Sequence, residues 1–265
     1  LAEWVVSEHN PLTARVLVNR VWQNCFGEGL VATPNDFGRA GARPSDPELL
    51  DWLASEFVNG GWSLKKLQRL IFTSATYRQS RVPRRLTAEQ LRDTMLAVAG
   101  RLTPEGGGPP VWPELPDEVL KANPAFLDDN GEKTKGWYPS SPEKRNVRSI
   151  FLVQKRTVRV PLMETFDLPE NAVSCARRNV STVAPQALTL LNSPFAAEMS
   201  RAFAERVMKE VADDPDAQVG RVFALALQRE SDARERATCL HFRAEHSLAE
   251  LCRAALNLNG FSYVD

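Results

Sequence analysis

No sign of charge dominates this chain: 33 Lys and Arg balance 33 Asp and Glu over 265 residues, a formal net charge of 0. Duplex binders usually carry a basic excess, so the balance argues against a generic polyanion binder and leaves open only a local basic face. No apolar run approaches the roughly 18 residues of a membrane span, and no n-region and h-region pattern opens the chain. Histidine is scarce. His9, His241 and His246 are too scattered for a metal site readable from spacing. The four cysteines, Cys25, Cys175, Cys239 and Cys252, form no CxxC and no CxxCH, which excludes covalent c-type haem within these residues. Cys239 and Cys252 could pair between neighbouring helices, but spacing alone does not establish a disulfide, and free buried thiols are the simpler reading. There is no GxSxG elbow, no HExxH, no P-loop and no GxGxxG opening a helix, so nucleophile, zinc-hydrolase and nucleotide chemistries lack their usual signatures.

What is present is the composition of a soluble globular protein, 43% hydrophobic and 25% charged, long enough for a real core. The reading is one mainly α domain over 1–265, a multi-helix domain with little β. Its sub-parts are N-terminal helices over 1–103, an irregular Pro/Gly-rich strap over 104–145, and a strand plus C-terminal helices over 146–265. The opening LAEWVVSEHNP reads as the end of a helix already under way, so the expectation is a fragment of a longer protein.

Asn10-Pro11 predicts a capped helix to about Phe26, stopped by Gly27. Asp46-Pro47 restarts helix with Leu49, Leu50, Trp52, Leu53 and Phe57 facing inward, and Ser63 caps the next, in which Leu64, Leu67, Leu70 and Ile71 recur at helical spacing. Thr87-x-x-Gln90 is a capping box opening a helix to about Arg101. The strap follows, punctuated by Trp112, Phe126, Trp137 and Tyr138, which are expected to be pinned. A long irregular segment either rims a groove or covers core. Asn146 to Val160 is the best strand candidate. Pro161 to Asp167 predicts one or two helical turns. Helices are then expected over 194–211, 216–228, 231–243 and 247–258, the last opened by the box Ser247-x-x-Glu250.

The most chemically varied stretch is SCARRNVSTVAPQALTLLN, residues 174–192. Ser181 or Thr182 is a natural N-cap and Pro185 fits a first turn. Arg177 and Arg178 just upstream form the electrostatic pattern of an anion site, or equally a structural arginine pair closed on carboxylates elsewhere. On the first helix Arg15, Asn19 and Arg20 are polar beside an apolar stripe, and the same two readings apply to them.

The blocks NPLTARVLVNRVWQ, GEGLVATPNDFG, PELLDWLASEFVNGGWSLKKLQRLIFTSATYRQS, RRLTAEQLRDTMLAVAGRL, SCARRNVSTVAPQALTLLNSPF and LCRAALNLNGFSYVD, taken together and in order, resemble the planctomycete-specific domain of unknown function found at the C-terminal end of large cytochrome-c-containing proteins. The resemblance implies that haem c belongs to upstream domains, with no cofactor in this segment. It also implies an extracytoplasmic location, in the periplasm or at the cell surface, since c-type haem is attached outside the cytoplasm. Partners implied are the upstream haem-containing domain of the same polypeptide and a cell-surface protein or polysaccharide, with no nucleic acid and no membrane span. Two departures matter. The family often has a pair of histidines where this chain has Asn24 and Cys25, and the linker between Gln79 and Arg85 is shorter than usual. The family supplies no catalytic residues.

Three functions fit: a non-catalytic binding or docking scaffold, an enzyme acting on extracellular carbohydrate, and a docking surface for electron transfer. The carbohydrate reading rests on the aromatic strap and on acids such as Asp36, Glu164 and Asp167, two of which would have to share a cleft. The candidate ligand-binding set is Asp167, Arg177, Arg178, Ser181, Thr182 and Gln186, joined by Arg15, Asn19 and Arg20. Both groups are expected to converge on one cleft beneath the strap.

Overall fold

A computed structural model describes residues 1–5, 7, 9–79, 83–104, 107–122 and 136–264. About 57% of the chain is helical, in 15 helices, with a single two-stranded sheet among the described residues. The protein is mainly α. It divides into two compact units, Leu1–Arg84 and Arg85–Val264. The 103 residues grouped from sequence as N-terminal helices are therefore shared between them.

The first unit holds α1 (Ala2–Val5), α2 (Thr13–Phe26), α3 (Pro47–Asn59), α4 (Leu64–Phe72) and α5 (Ala75–Gln79). Asn10 Oδ1 accepts the N–H groups of Leu12 and Thr13, so α2 starts two residues after the proline, behind an Asx-type turn. Gly27 ends it in the left-handed conformation at φ 85°. Asp46 caps α3 through the Leu49 N–H, and Ser63 caps α4 through the Lys66 N–H. Ala14, Val18, Leu50, Leu53, Phe57, Leu67 and Ile71 make the core of this unit. Trp52, expected inside, is 50% exposed. Leu50, Leu53, Ala54 and Phe57 define the buried stripe, and at 100° per residue position 52 falls on the far side of the helix. Leu64 and Leu70 flank the buried pair of α4 and stay exposed at the margins of its buried stripe.

The second unit begins with β1 (Arg84–Arg85), paired with β2 (Tyr263–Val264). Between them come α6 (Ala88–Val98), α7 (Asp117–Lys121), α8 (Pro142–Arg145), a 3-10 turn at Ser149–Phe151, α9 (Pro161–Thr165), α10 (Ala184–Asn192), α11 (Pro194–Val211), α12 (Pro215–Ala226), α13 (Ala233–Glu245), α14 (Leu248–Leu256) and α15 (Asn259–Ser262). Capping boxes at Thr87/Gln90, Asp232/Glu235 and Ser247/Glu250 open α6, α13 and α14. The main core surrounds α11, with Met95, Leu96, Met199, Phe203, Val207, Val222, Leu251 and Leu256 buried.

The strand expected over Asn146 to Val160 does not form. Ser149 is fully buried, and its N–H and hydroxyl both donate to Asp93 Oδ1 at 2.7 Å. That side-chain capture turns the backbone into a 3-10 turn and leaves two isolated parallel bridges, Thr103 with Val147 and Val111 with Leu152. Arg92 secures the same segment. It is buried, donates to the carbonyls of Val147 and Arg145 and to the Ser149 hydroxyl, and burial pulls its pKa down to about 10. The strap aromatics are pinned as expected. Trp137 is buried with Nε1 donating to the Pro113 carbonyl at 2.7 Å, edge-on to Trp112 at 5.0 Å between centroids, and Tyr138 is also edge-on to Trp112, at 6.4 Å. Phe126 lies outside the described residues.

Candidate functional site

The 174–192 stretch is irregular until Ala184, and neither Ser181 nor Thr182 caps the helix. Val183 occupies that position and brings no side-chain acceptor. Ser181 is instead committed to Asp167. Its N–H donates to Asp167 Oδ2 at 2.8 Å and its hydroxyl donates to the same carboxylate at 2.9 Å. Asp167 sits just past α9 in the left-handed region at φ 60°, a conformation Asp tolerates better than most residues.

Three further side chains close this cluster. Arg85 Nη2 donates to Asp167 Oδ2 at 2.6 Å and to the Phe166 carbonyl, while Nη1 donates to the Ser181 carbonyl. Its guanidinium also stands over the Phe166 ring at 5.6 Å. Gln186 is buried, and its Nε2 donates to the Thr165 carbonyl at 3.1 Å and to the Ser181 hydroxyl at 3.2 Å. Thr182 shares a hydrogen bond of 2.9 Å with the Tyr263 hydroxyl on β2. Burial pushes the Asp167 carboxyl up, but the Ser181 N–H, Arg85 and the Ser181 hydroxyl together hold it below the ordinary carboxylate range. A carboxylate held ionised this way is a weak acceptor for the proton that a nucleophilic serine must lose.

The two arginines diverge. Arg178 Nη1 pairs with Glu89 Oε2 on α6 at 2.6 Å. Burial would raise the Glu89 pKa, yet the Arg178 guanidinium and the residue's own backbone N–H bring it below the ordinary value. Arg177 is exposed, and no described residue pairs with its guanidinium. It lines a cleft of about 540 Å³ together with Arg159, Glu164, Glu170, Cys175 and Asn179. Arg159 reaches Glu170 at 3.3 Å and Glu164 at 3.8 Å, so one cation is shared by two carboxylates and the trio keeps one negative charge. Asp167 also borders the cleft, but it is spoken for by Arg85 and Ser181. Among the described residues no aromatic side chain lines it. The exposed Cys175 thiol donates to the Arg177 carbonyl at 3.2 Å.

A second concavity, of about 610 Å³, lies between the end of α6 and α11. Its Arg206 donates to the carbonyls of Ala97 and Val98, capping the C-terminal end of α6, and pairs with Glu210. Among the described residues no group of three His, Cys, Asp or Glu side chains could hold a metal ion, and no helix is long and apolar enough to cross a membrane.

In the first unit the remaining candidates are architectural or free. Asn19 is fully buried and clamps the following loop, with Oδ1 accepting from the Val31 N–H at 2.8 Å and Nδ2 donating to the Val31 carbonyl at 3.0 Å. A side chain at Gly29 would fall 2.7 Å from Asn19 Nδ2, so this approach requires glycine. Arg15 donates to Asp51 and to the Pro11 carbonyl. Arg20 is exposed. Asp36 Oδ1 accepts the Gly38 N–H within its own loop.

The structure thus brings Asp167, Ser181 and Gln186 into one cluster and sets Thr182 beside it on Tyr263. Both arginines line the cleft, but Arg178 is paired with Glu89 on α6 and Arg177 is not paired among the described residues. Sequence reading missed Arg85, Glu89 and Tyr263. Arg85 and Asp167 are 82 residues apart, and neither motif nor periodicity links them. A family model described as PSD1, protein of unknown function (DUF1553), matches residues 1–243. No curated protein and no solved structure matches the chain.

Proposed function

Because this chain belongs to the PSD1 (DUF1553) family of proteins of unknown function, we propose its role from its own residues: a non-catalytic helical module that binds or docks a partner through the cleft at Arg177. One observation carries this reading. The groups that resemble a catalytic set, Asp167, Ser181 and Gln186, are closed on one another and on Arg85, whereas Arg177 keeps its donors toward solvent in a concave surface. A guanidinium so placed recognises a carboxylate or a similar anion.

In the fuller form of the proposal the module sits in an exported, cytochrome-c-type multidomain protein of planctomycete kind, outside the cytoplasm. Haem c would be carried only by upstream domains. The partner would be that haem-containing domain, in the manner of a docking surface, or an acidic cell-surface polymer. What supports this is the block-by-block resemblance of the sequence.

Carbohydrate hydrolysis has weaker support. Glu164, Asp167 and Glu170 do border one cleft, but Glu164 and Glu170 both face Arg159 and Asp167 is held ionised. A general acid needs a raised pKa. Titration calorimetry of the chain with a polyuronate oligosaccharide, and with the haem-containing segment expressed separately, tests the reading. Arg177→Ala is expected to weaken the productive partner by about tenfold or more. Binding unchanged in Arg177→Ala, or hydrolysis of the oligosaccharide abolished by Glu164→Gln or Glu170→Gln, would count against it.

A further inference from the structure

Although the net charge of the chain is 0, its basic residues are not evenly spread. From Phe57 to Ala88 there is no Asp or Glu, while Lys65, Lys66, Arg69, Arg78, Arg81, Arg84 and Arg85 all fall there. Within this stretch α4 buries only Leu67 and Ile71, one turn apart on one face. At 100° per residue Lys65, Lys66, Arg69 and Phe72 project from the opposite face. Phe72 is 45% exposed there, and Leu64 and Leu70 border the same surface half-uncovered.

Two details show that the exposure is organised. Among the described residues no acidic side chain pairs with Lys65, Lys66, Arg69 or Arg78, although 13 arginine–carboxylate pairs form elsewhere. Lys66 reaches only the Gly60 carbonyl, at 3.2 Å. Just before α4, Trp62 is held in the left-handed region at φ 58° and is 37% exposed, its ring edge-on to Phe57. A bulky residue costs energy in that conformation, and such strain concentrates where a side chain must be presented.

Ammonium and guanidinium groups interleaved with Trp, Phe and Leu match the chemistry of an anionic bilayer surface. Indole and phenyl rings settle at headgroup depth, and the basic side chains reach out along their alkyl stems to the lipid phosphates. Nucleic acid would use the same charges but has no place for an outward Leu64, Leu70 and Phe72. We propose that α4 and the Trp62 turn form a peripheral docking surface for anionic lipid membranes. This surface belongs to the first unit, whereas the Arg177 cleft belongs to the second.

The test is co-sedimentation of the 265-residue chain with vesicles of phosphatidylcholine alone and of equimolar phosphatidylcholine and phosphatidylglycerol. It is repeated with sheared duplex DNA in place of vesicles. The chain is expected to sediment with the anionic vesicles only, with a blue shift of tryptophan emission. The variant Lys65→Glu/Lys66→Glu/Arg69→Glu is expected to partition at least about tenfold less. A charge-matched control, Arg201→Glu/Lys209→Glu/Arg234→Glu, alters exposed residues of the second unit and is expected to bind like the natural chain. Should the triple variant lose its circular dichroism, Arg69→Glu and Phe72→Ser alone carry the comparison, each weakening binding. No binding to anionic vesicles, equal binding by the α4 variants and the natural chain, or binding to DNA with vesicles left behind would overturn the proposal.

Discussion

At the scale of single residues, Asp167 shows how one carboxylate can organise a stretch that looks like a site. Arg85 is only 4% exposed at its side chain and Asp167 18%, so the pair lies largely out of water. Removing one partner of such a pair strands the other charge. Asp167→Asn keeps the size and the tolerance for φ 60°, so its effect isolates the charge; the expected loss is roughly 3 kcal/mol at pH 6. The folded pKa of Asp167 lies below its unfolded value, so its stabilisation is complete above about pH 4 and fades as pH falls through the folded value. Urea unfolding of both proteins at pH 6 and pH 3 checks this, and the gap should shrink at pH 3. A gap that does not change with pH would mean that hydrogen-bond geometry, not charge, supplies the stabilisation. The buried clamp of Asn19 on Val31 makes the complementary point, since a polar residue in the middle of an apolar stripe is there to satisfy two backbone groups.

At the scale of elements, α3, α4, α6, α11, α12, α13 and α14 start behind a side-chain cap, whereas α10 does not. Val183 stands at its N-cap in extended geometry, φ −133° and ψ 150°, with no side-chain acceptor and 47% of its surface exposed. Only the Gln186 side chain reaches back, accepting the Val183 N–H at 3.4 Å. Pro185 has no N–H, so a hydroxyl there would share the Gln186 N–H, which now donates to the Val183 carbonyl at 3.0 Å, at little loss of burial. Val183→Ser is therefore expected to stabilise the protein by about 0.5–1 kcal/mol, read as a rise in the urea midpoint. A fall would show that the valine packs more strongly than its exposure indicates. The strand that failed to form over Asn146 to Val160 belongs at this scale too. Its β-branched residues suit a ladder, but Asp93 captures Ser149 and Arg92 captures the carbonyls of Arg145 and Val147 just before it.

At the scale of the whole molecule, the two units own separate cores, and each contains a buried thiol: Cys25 in the first and Cys252 in the second. All four cysteines are free. Burial raises the pKa of Cys25 and pushes that of Cys252 up to about 12, and the thiolate is the reactive form. With a disulfide reagent at pH 8 and no denaturant, Cys175 is expected to react at once. Cys239, partly buried and with its pKa raised by burial, should follow slowly. Cys25 and Cys252 should wait for unfolding. As urea rises, Cys25 should become reactive before Cys252, since its core is the smaller. Simultaneous exposure of the two, followed by mass spectrometry of labelled peptides, would show that the units unfold as one block.

The helical class and the capped helix starts at Asp46, Ser63, Thr87 and Ser247 could be read from the amino-acid order alone. Those features rest on contacts within about four residues or on periodicity, and both are local properties of the chain. Family membership was legible for a related reason, because the blocks that carry it are contiguous runs. Tertiary structure decided the rest. It took Ser181 from helix capping to Asp167 and closed Arg178 on Glu89. It also turned Trp52 outward and divided the helices at Arg84. Each of those outcomes depends on which distant residue reaches a polar group first once the backbone is packed, and on the cost of leaving that group unpaired away from water. Sequence spacing records neither.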